Sequence, residues 1–102
     1  MQNIIEKHKS ELIRICKSLN VIRLYAFGSV VTDKFDKDSD IDFLISFPDN
    51  MTIEEYTENY FQLHYNLREL FKHEIDIVTE RTLSNPYFIE SIEESKKMIY
   101  EA

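Results

Sequence analysis

The chain has 102 residues, 12 Lys and Arg against 19 Asp and Glu, a single Cys and a formal charge of -7. That length holds one domain, 1–102, with a modest core, and excludes a catalytic domain followed by a separate substrate domain. The acidic balance excludes broad electrostatic binding of nucleic acid, which needs a basic surface to release counterions, and the lone Cys16 excludes an internal disulfide. A reducing compartment suits that cysteine usage. The opening stretch from Met1 to Lys7 meets charge too early for a signal peptide, and no apolar run approaches membrane-spanning length. The expectation is a cytoplasmic protein with no membrane partner.

Ile4, Ile5, His8, Leu12, Ile15, Cys16 and Leu19 recur at helical spacing among charged residues and predict one amphipathic first helix. Cys16 on its apolar stripe reads as core, and His8 as boundary packing. The apolar run from Ile22 to Phe27 contains a first strand, Arg23–Phe27, closed by Gly28-Ser29. Gly28 is the only glycine, so the chain uses its most permissive residue at this turn. A short helix is expected over Val30–Phe35, then a polar loop through Ser39. Asp40-Ile41-Asp42 opens the second strand, Ile41–Phe47. Alternation there sets Asp40 and Asp42 on one face and Ile41, Phe43 and Ile45 on the other.

Pro48-Asp49-Asn50 ends that strand, and Thr52-Ile53-Glu54-Glu55 matches a capping box. Ile53, Tyr56, Tyr60, Leu63, Leu67 and Leu70 then predict a long helix with one continuous apolar face to about Phe71. Its tyrosines read as core. His64 has no partner at a telling interval, and His73 complements the dipole of the last turn. Glu74–Val78 is a third strand, in which Asp76 lies between inward isoleucines and so points to the wetter face. Arg81 and Thr82 read as loop residues near the site. Asn85-Pro86 starts a last helix whose apolar side is Phe88, Ile89 and Ile92, and Lys97–Tyr100 can form a terminal strand.

These elements imply an architecture. Gly28-Ser29 ends one strand and Asp40-x-Asp42 begins the next, so bringing them together makes those strands antiparallel. The long helix joining strands two and three fits a parallel crossover, which sets Asp76 beside Asp42. Neighbouring carboxylates repel, and a hard divalent cation such as Mg²⁺ relieves them without protonation. Gly28 and Ser29 supply backbone N–H groups and a hydroxyl suited to phosphate. Lys34 and Lys37 are placed to meet phosphate too, with plain solvation as the alternative. Metal-binding acids beside phosphate donors describe a site for a metal-bound nucleotide.

Gly28-Ser29, ten intervening residues, Asp40-Ile41-Asp42 and later Ile75-Asp76-Ile77 resemble the signature of the minimal nucleotidyltransferases (MNT), small members of the DNA polymerase β-like superfamily. The resemblance extends over nearly the whole chain, including the Asn85-Pro86-Tyr87 helix start. It implies an α+β (α/β) nucleotidyltransferase fold: a small mixed sheet of about three or four strands with about four helices. By the same resemblance Asp40 and Asp42 would bind the Mg²⁺ that carries ATP, Asp76 would complete a second metal site and help deprotonate the acceptor, and Gly28 and Ser29 would hold the β- and γ-phosphates.

Family members of this size resemble the antitoxin half of a module whose other half is a helical HEPN-domain ribonuclease toxin. The implied reaction is transfer of AMP to a tyrosine of that partner, with a homo-oligomer or hetero-oligomer completing the site. One departure stands out. Many family members carry an arginine and a second small residue soon after the Gly-Ser pair, where this chain has Val30-Val31-Thr32-Asp33. That leaves the phosphate site weaker, or reliant on Lys34, Lys37 or a basic residue of the partner. Two alternatives stay open: an antitoxin of the same fold acting by binding alone, and a nucleotidyltransferase for a small-molecule hydroxyl such as an antibiotic.

Overall fold

A computed structural model describes residues 3–102. Met1 and Gln2, where the stretch tested as a signal peptide begins, lie outside the described residues. Four strands form one sheet in the order β3-β2-β1-β4: β1 (Arg23–Phe27), β2 (Ile41–Ser46), β3 (Ile75–Thr79) and β4 (Lys97–Glu101). β1 runs antiparallel to β2 and β4, and β2 runs parallel to β3. The architecture is thus the mixed α+β sheet expected, with the predicted strand directions. β4 carries a bulge where its register with β1 shifts between Leu24 and Tyr25.

The helices are α1 (Asn3–Lys7), α2 (Lys9–Ser18), α3 (Ile53–Phe71) and α4 (Pro86–Ser95). The predicted single first helix is therefore broken at His8, whose ring is held edge-on against Phe71 with centroids 5.4 Å apart. The apolar stripe survives the break: Ile5, Leu12 and Cys16 are all fully buried. They meet Leu24 and Ala26 of β1, Ile41, Phe43 and Ile45 of β2, and Leu63, Leu67 and Phe71 of α3 in one core. Ile53 corrects the predicted continuous face of α3. It is 83% exposed, because the first turn stands over the Glu80–Thr82 segment, where Ile53 lines a shallow cavity with Met51, Tyr56 and Arg81.

Capping fixes both ends of the crossover helix. Thr52 Oγ1 accepts from the Glu55 N–H and donates to the Glu55 carboxylate, each at 3.1 Å. At the other end Lys72 takes a left-handed φ of 58°, its N–H donating to the Arg68 carbonyl, and the chain turns into β3. The opposite face of the sheet has a smaller cluster, Phe27, Leu44 and Ile92, covered by α4. One face of the sheet is thus sealed and the other only partly roofed.

Candidate functional site

The partly roofed face carries the acids. Phe27 pairs with Asp42 across the antiparallel ladder, and Asp42 pairs with Asp76 across the parallel one. Laterally paired residues share a face, so Phe27, Asp42 and Asp76 form one row across the sheet. Asp42 is half-buried in that row and Asp76 is exposed. Asp40 is exposed and stands one residue before β2, at the mouth of the row. Its position is tied down on both sides: the Ile41 N–H donates to the Glu74 carbonyl at 3.0 Å, and His73 Nδ1 donates to the Ser39 carbonyl at 2.8 Å.

Burial, then the charges of Asp76 and Asp40 and a hydrogen bond with Asp76, push the Asp42 carboxyl up from 3.8 to about 6. None of the three acids has an ion-pair partner among the described residues. Hard, mutually repelling oxygen donors without a fixed cation fit a divalent metal. Among the described residues, however, no three His, Cys, Asp or Glu side chains are gathered to hold a metal by themselves. This donor set suits Mg²⁺ that takes its remaining oxygens from water and a bound phosphate, as Mg²⁺ commonly does.

Gly28 adjoins the row. Its φ is +76°, and a Cβ at this position would collide with Asp42 Oδ2. Glycine is required twice over, by the backbone and by the carboxylate packed on it. The predicted helix over Val30–Phe35 is instead a single 3₁₀ turn, Gly28–Val31. The Ser29 carbonyl accepts from the Thr32 N–H at 2.9 Å and the Thr32 hydroxyl at 2.8 Å, which ends the turn. Val30 is buried beneath it, leaving Ser29 half-buried beside the acids.

Other residues singled out in the sequence divide. Lys37 is exposed and lines a cavity of about 360 Å³ with Ser39, Arg68, Lys72 and His73, to which Gly28 and Ser29 do not contribute. Lys34 is also exposed. Arg81 lies over the Tyr56 ring, 5.6 Å from its centroid, and Thr82 bonds Thr79, at the far end of β3 from Asp76. Cys16 is core, its thiol pushed up to about 12 by burial. His64 Nε2 donates to the Ile75 carbonyl at 3.0 Å, a structural tie.

Two site neighbours escaped the sequence reading. His73 lies beyond α3 rather than in its last turn; its ring packs on Phe35 at 5.0 Å and grips the loop that delivers Asp40. Its place three residues before Asp76 was the available signal. Tyr60, read only as core, is half-buried and donates to the Ile77 carbonyl at 3.2 Å. Burial, then Tyr56 and Asp76, raise the pKa of its phenol.

Comparison with known proteins adds a family. A family profile described as a nucleotidyltransferase domain matches residues 9–99. A Methanocaldococcus jannaschii protein provisionally named a protein adenylyltransferase is 32% identical over 94 residues, spanning 92% of this chain and 89% of the relative. A solved structure provisionally assigned as a minimal nucleotidyltransferase superposes with a TM-score of 0.71 at 26% identity, over 91% of this chain and 90% of that one. The fold is shared with a chain from a tri-AMPylated Shewanella oneidensis HEPN toxin in complex with an MNT antitoxin, at TM-score 0.66 and 16% identity, over 95% of this chain and 72% of that one.

Proposed function

The chain belongs to the nucleotidyltransferase domain family, and on that premise we propose that it transfers AMP from ATP to a tyrosine hydroxyl of a HEPN-type toxin, acting as its antitoxin. The observation that carries this reading is the row Phe27, Asp42, Asp76 beside a turn that only glycine can make. Its relatives are provisionally named protein adenylyltransferases, and one fold neighbour is bound to an AMPylated HEPN toxin. In this reading residues 1–102 act as one cytoplasmic domain, and the partner subunit supplies the rest of the acceptor site.

Asp40 and Asp42 would hold the Mg²⁺ that accompanies ATP, and Asp42 and Asp76 a second ion. Bound there, the ions would screen the triphosphate and stabilise the attacking and leaving oxygens. Gly28 and Ser29 receive the β- and γ-phosphates through backbone N–H groups and the Ser29 hydroxyl, and Lys37 adds charge from its loop. Asp76, exposed on the edge strand, takes the proton from the acceptor hydroxyl. The acceptor oxygen then bonds to the α-phosphorus, the bridge to the β-phosphate breaks, and pyrophosphate leaves on the Gly28-Ser29 side.

Intact-mass spectrometry tests the proposal on a HEPN-domain protein encoded beside this chain, incubated with it, ATP and Mg²⁺. The expected result is a gain of one or more AMP units (about 329 Da each), absent with Asp40→Ala/Asp42→Ala. A stable complex with no mass gain, in which the double variant protects as well as the wild type, refutes the transfer and leaves neutralisation by binding.

A further inference from the structure

The row that contains Asp76 and Asp42 ends, on its β1 side, at Phe27. Phe88 of α4 meets Phe27 edge-on, with centroids 6.2 Å apart and planes at 71°, and the ring remains 41% exposed. Tyr87 beside it is 83% exposed. The backbone that carries these rings is fixed by the helix cap. Asn85 Oδ1 accepts from the Tyr87 N–H at 2.9 Å and the Phe88 N–H at 3.4 Å, and Pro86 fixes the first helical turn.

A lone exposed aromatic needs no explanation. Here two follow one another on the capped first turn of α4, and one of them, Phe88, rests on the Phe27 ring that precedes the Gly28-Ser29 turn, which puts aromatic side chains on the flank of the site. The opposite flank is the sheet edge at Asp76, where the acceptor arrives. The nucleoside of the donor is then left the α4 flank. We propose that Tyr87 and Phe88 form the platform on which the base of the donor nucleotide stacks. The inference rests on the nucleotidyl-transfer reading and assigns it a base-binding surface. Every nucleobase has a π face, so such a platform needs no polar contacts to bind one.

The test compares two ligands by calorimetry in Mg²⁺: the non-hydrolysable ATP analogue AMP-PNP, and inorganic tripolyphosphate, which has no base. The variants are Tyr87→Ala, at a side chain that is almost wholly exposed, and Phe88→Leu, which keeps an apolar cover on Phe27 but removes the aromatic plane. Stacking predicts that AMP-PNP affinity falls about 5- to 100-fold in at least one variant, with tripolyphosphate affinity unchanged within about twofold. Equal loss of both ligands, or no loss of AMP-PNP, overturns the platform. So does retained AMP-PNP affinity with weakened toxin binding, which would make the rings a partner surface. Failure of the wild type to bind either ligand has a different meaning: the nucleotidyl-transfer reading itself would fall, and the platform with it.

Discussion

Replacing Asp42 with Asn should stabilise the metal-free protein at neutral pH while abolishing transfer. The Asp42 carboxyl is pushed up from 3.8 to about 6, so at pH 7 the fold holds an ionised group that it would hold more readily as a neutral one. A shift of about two units corresponds to a ceiling of about 3 kcal/mol. Asp42 is only half-buried, and solvent screening cuts this to roughly 1.5 kcal/mol. In a domain of about 100 residues each kcal/mol moves the melting temperature by about 4–8 °C, so the Asn variant should melt roughly 6–12 °C higher in EDTA at pH 7.5. A raised carboxyl pKa favours the protonated fold, so the wild type recovers this stability as pH falls through about 6 and has all of it below 3.8. The gap between variant and wild type must therefore narrow as pH is lowered from 7.5 to 5. Mg²⁺ with AMP-PNP should raise the melting temperature of the wild type and leave the variant nearly unmoved. A variant that melts with or below the wild type at pH 7.5, or a gap independent of pH, would refute the argument that burial and the neighbouring acids together disfavour the ionised Asp42 in the fold.

Gly28→Ala confronts both a left-handed backbone and the Asp42 carboxylate. It should lose at least about 1–2 kcal/mol in urea unfolding together with AMP transfer, and a wild-type melt with normal activity would contradict the close packing of turn on acid. His73→Ala releases the Ser39 carbonyl and with it the placement of Asp40. Its stability should fall by about 1 kcal/mol while the transfer rate drops roughly 10- to 100-fold, and His73→Asn, which restores a donor, should recover part of the rate. Equal activity in His73→Ala would make the contact merely structural.

The parts of this molecule governed by simple periods were legible in its sequence. Alternation along β2 placed Asp42 opposite buried Ile41 and Phe43, and the length of α3 dictated the parallel crossover that sets Asp76 beside it. What stayed hidden depends on contacts distant in sequence. The stripe of Ile5, Leu12 and Cys16 has the same spacing whether or not the helix breaks at His8, and only Phe71 accounts for the ring that sits at the break. At the Gly28–Val31 turn the local bonds from Thr32 to the Ser29 carbonyl end the helix early, and the burial of Val30 in the core, which spacing does not reveal, anchors it there. Spacing offered Lys37 for a phosphate, but not the cavity that its loop lines together with Arg68 and Lys72, which come from another part of the chain. The role of His73 left only its nearness to Asp76 as a local clue, since its partner Ser39 lies 34 residues away.

The lateral pairing of Phe27, Asp42 and Asp76 also binds the chemistry to a single alignment of the chain. Side chains alternate with a period of two, so sliding β2 by one residue would turn Asp42 into the core and bring Ile41 and Phe43 out to water. No misaligned conformer could therefore retain nucleotide binding, and occupancy by nucleotide would serve as proof of correct folding. The same constraint divides the chain's tolerance to insertion: a residue added at the exposed Asp33-Lys34 step, short of the Phe35 and Ser39 contacts with His73, can be absorbed by the loop, whereas one residue added between Asp40 and Phe47 would cost fold and activity together.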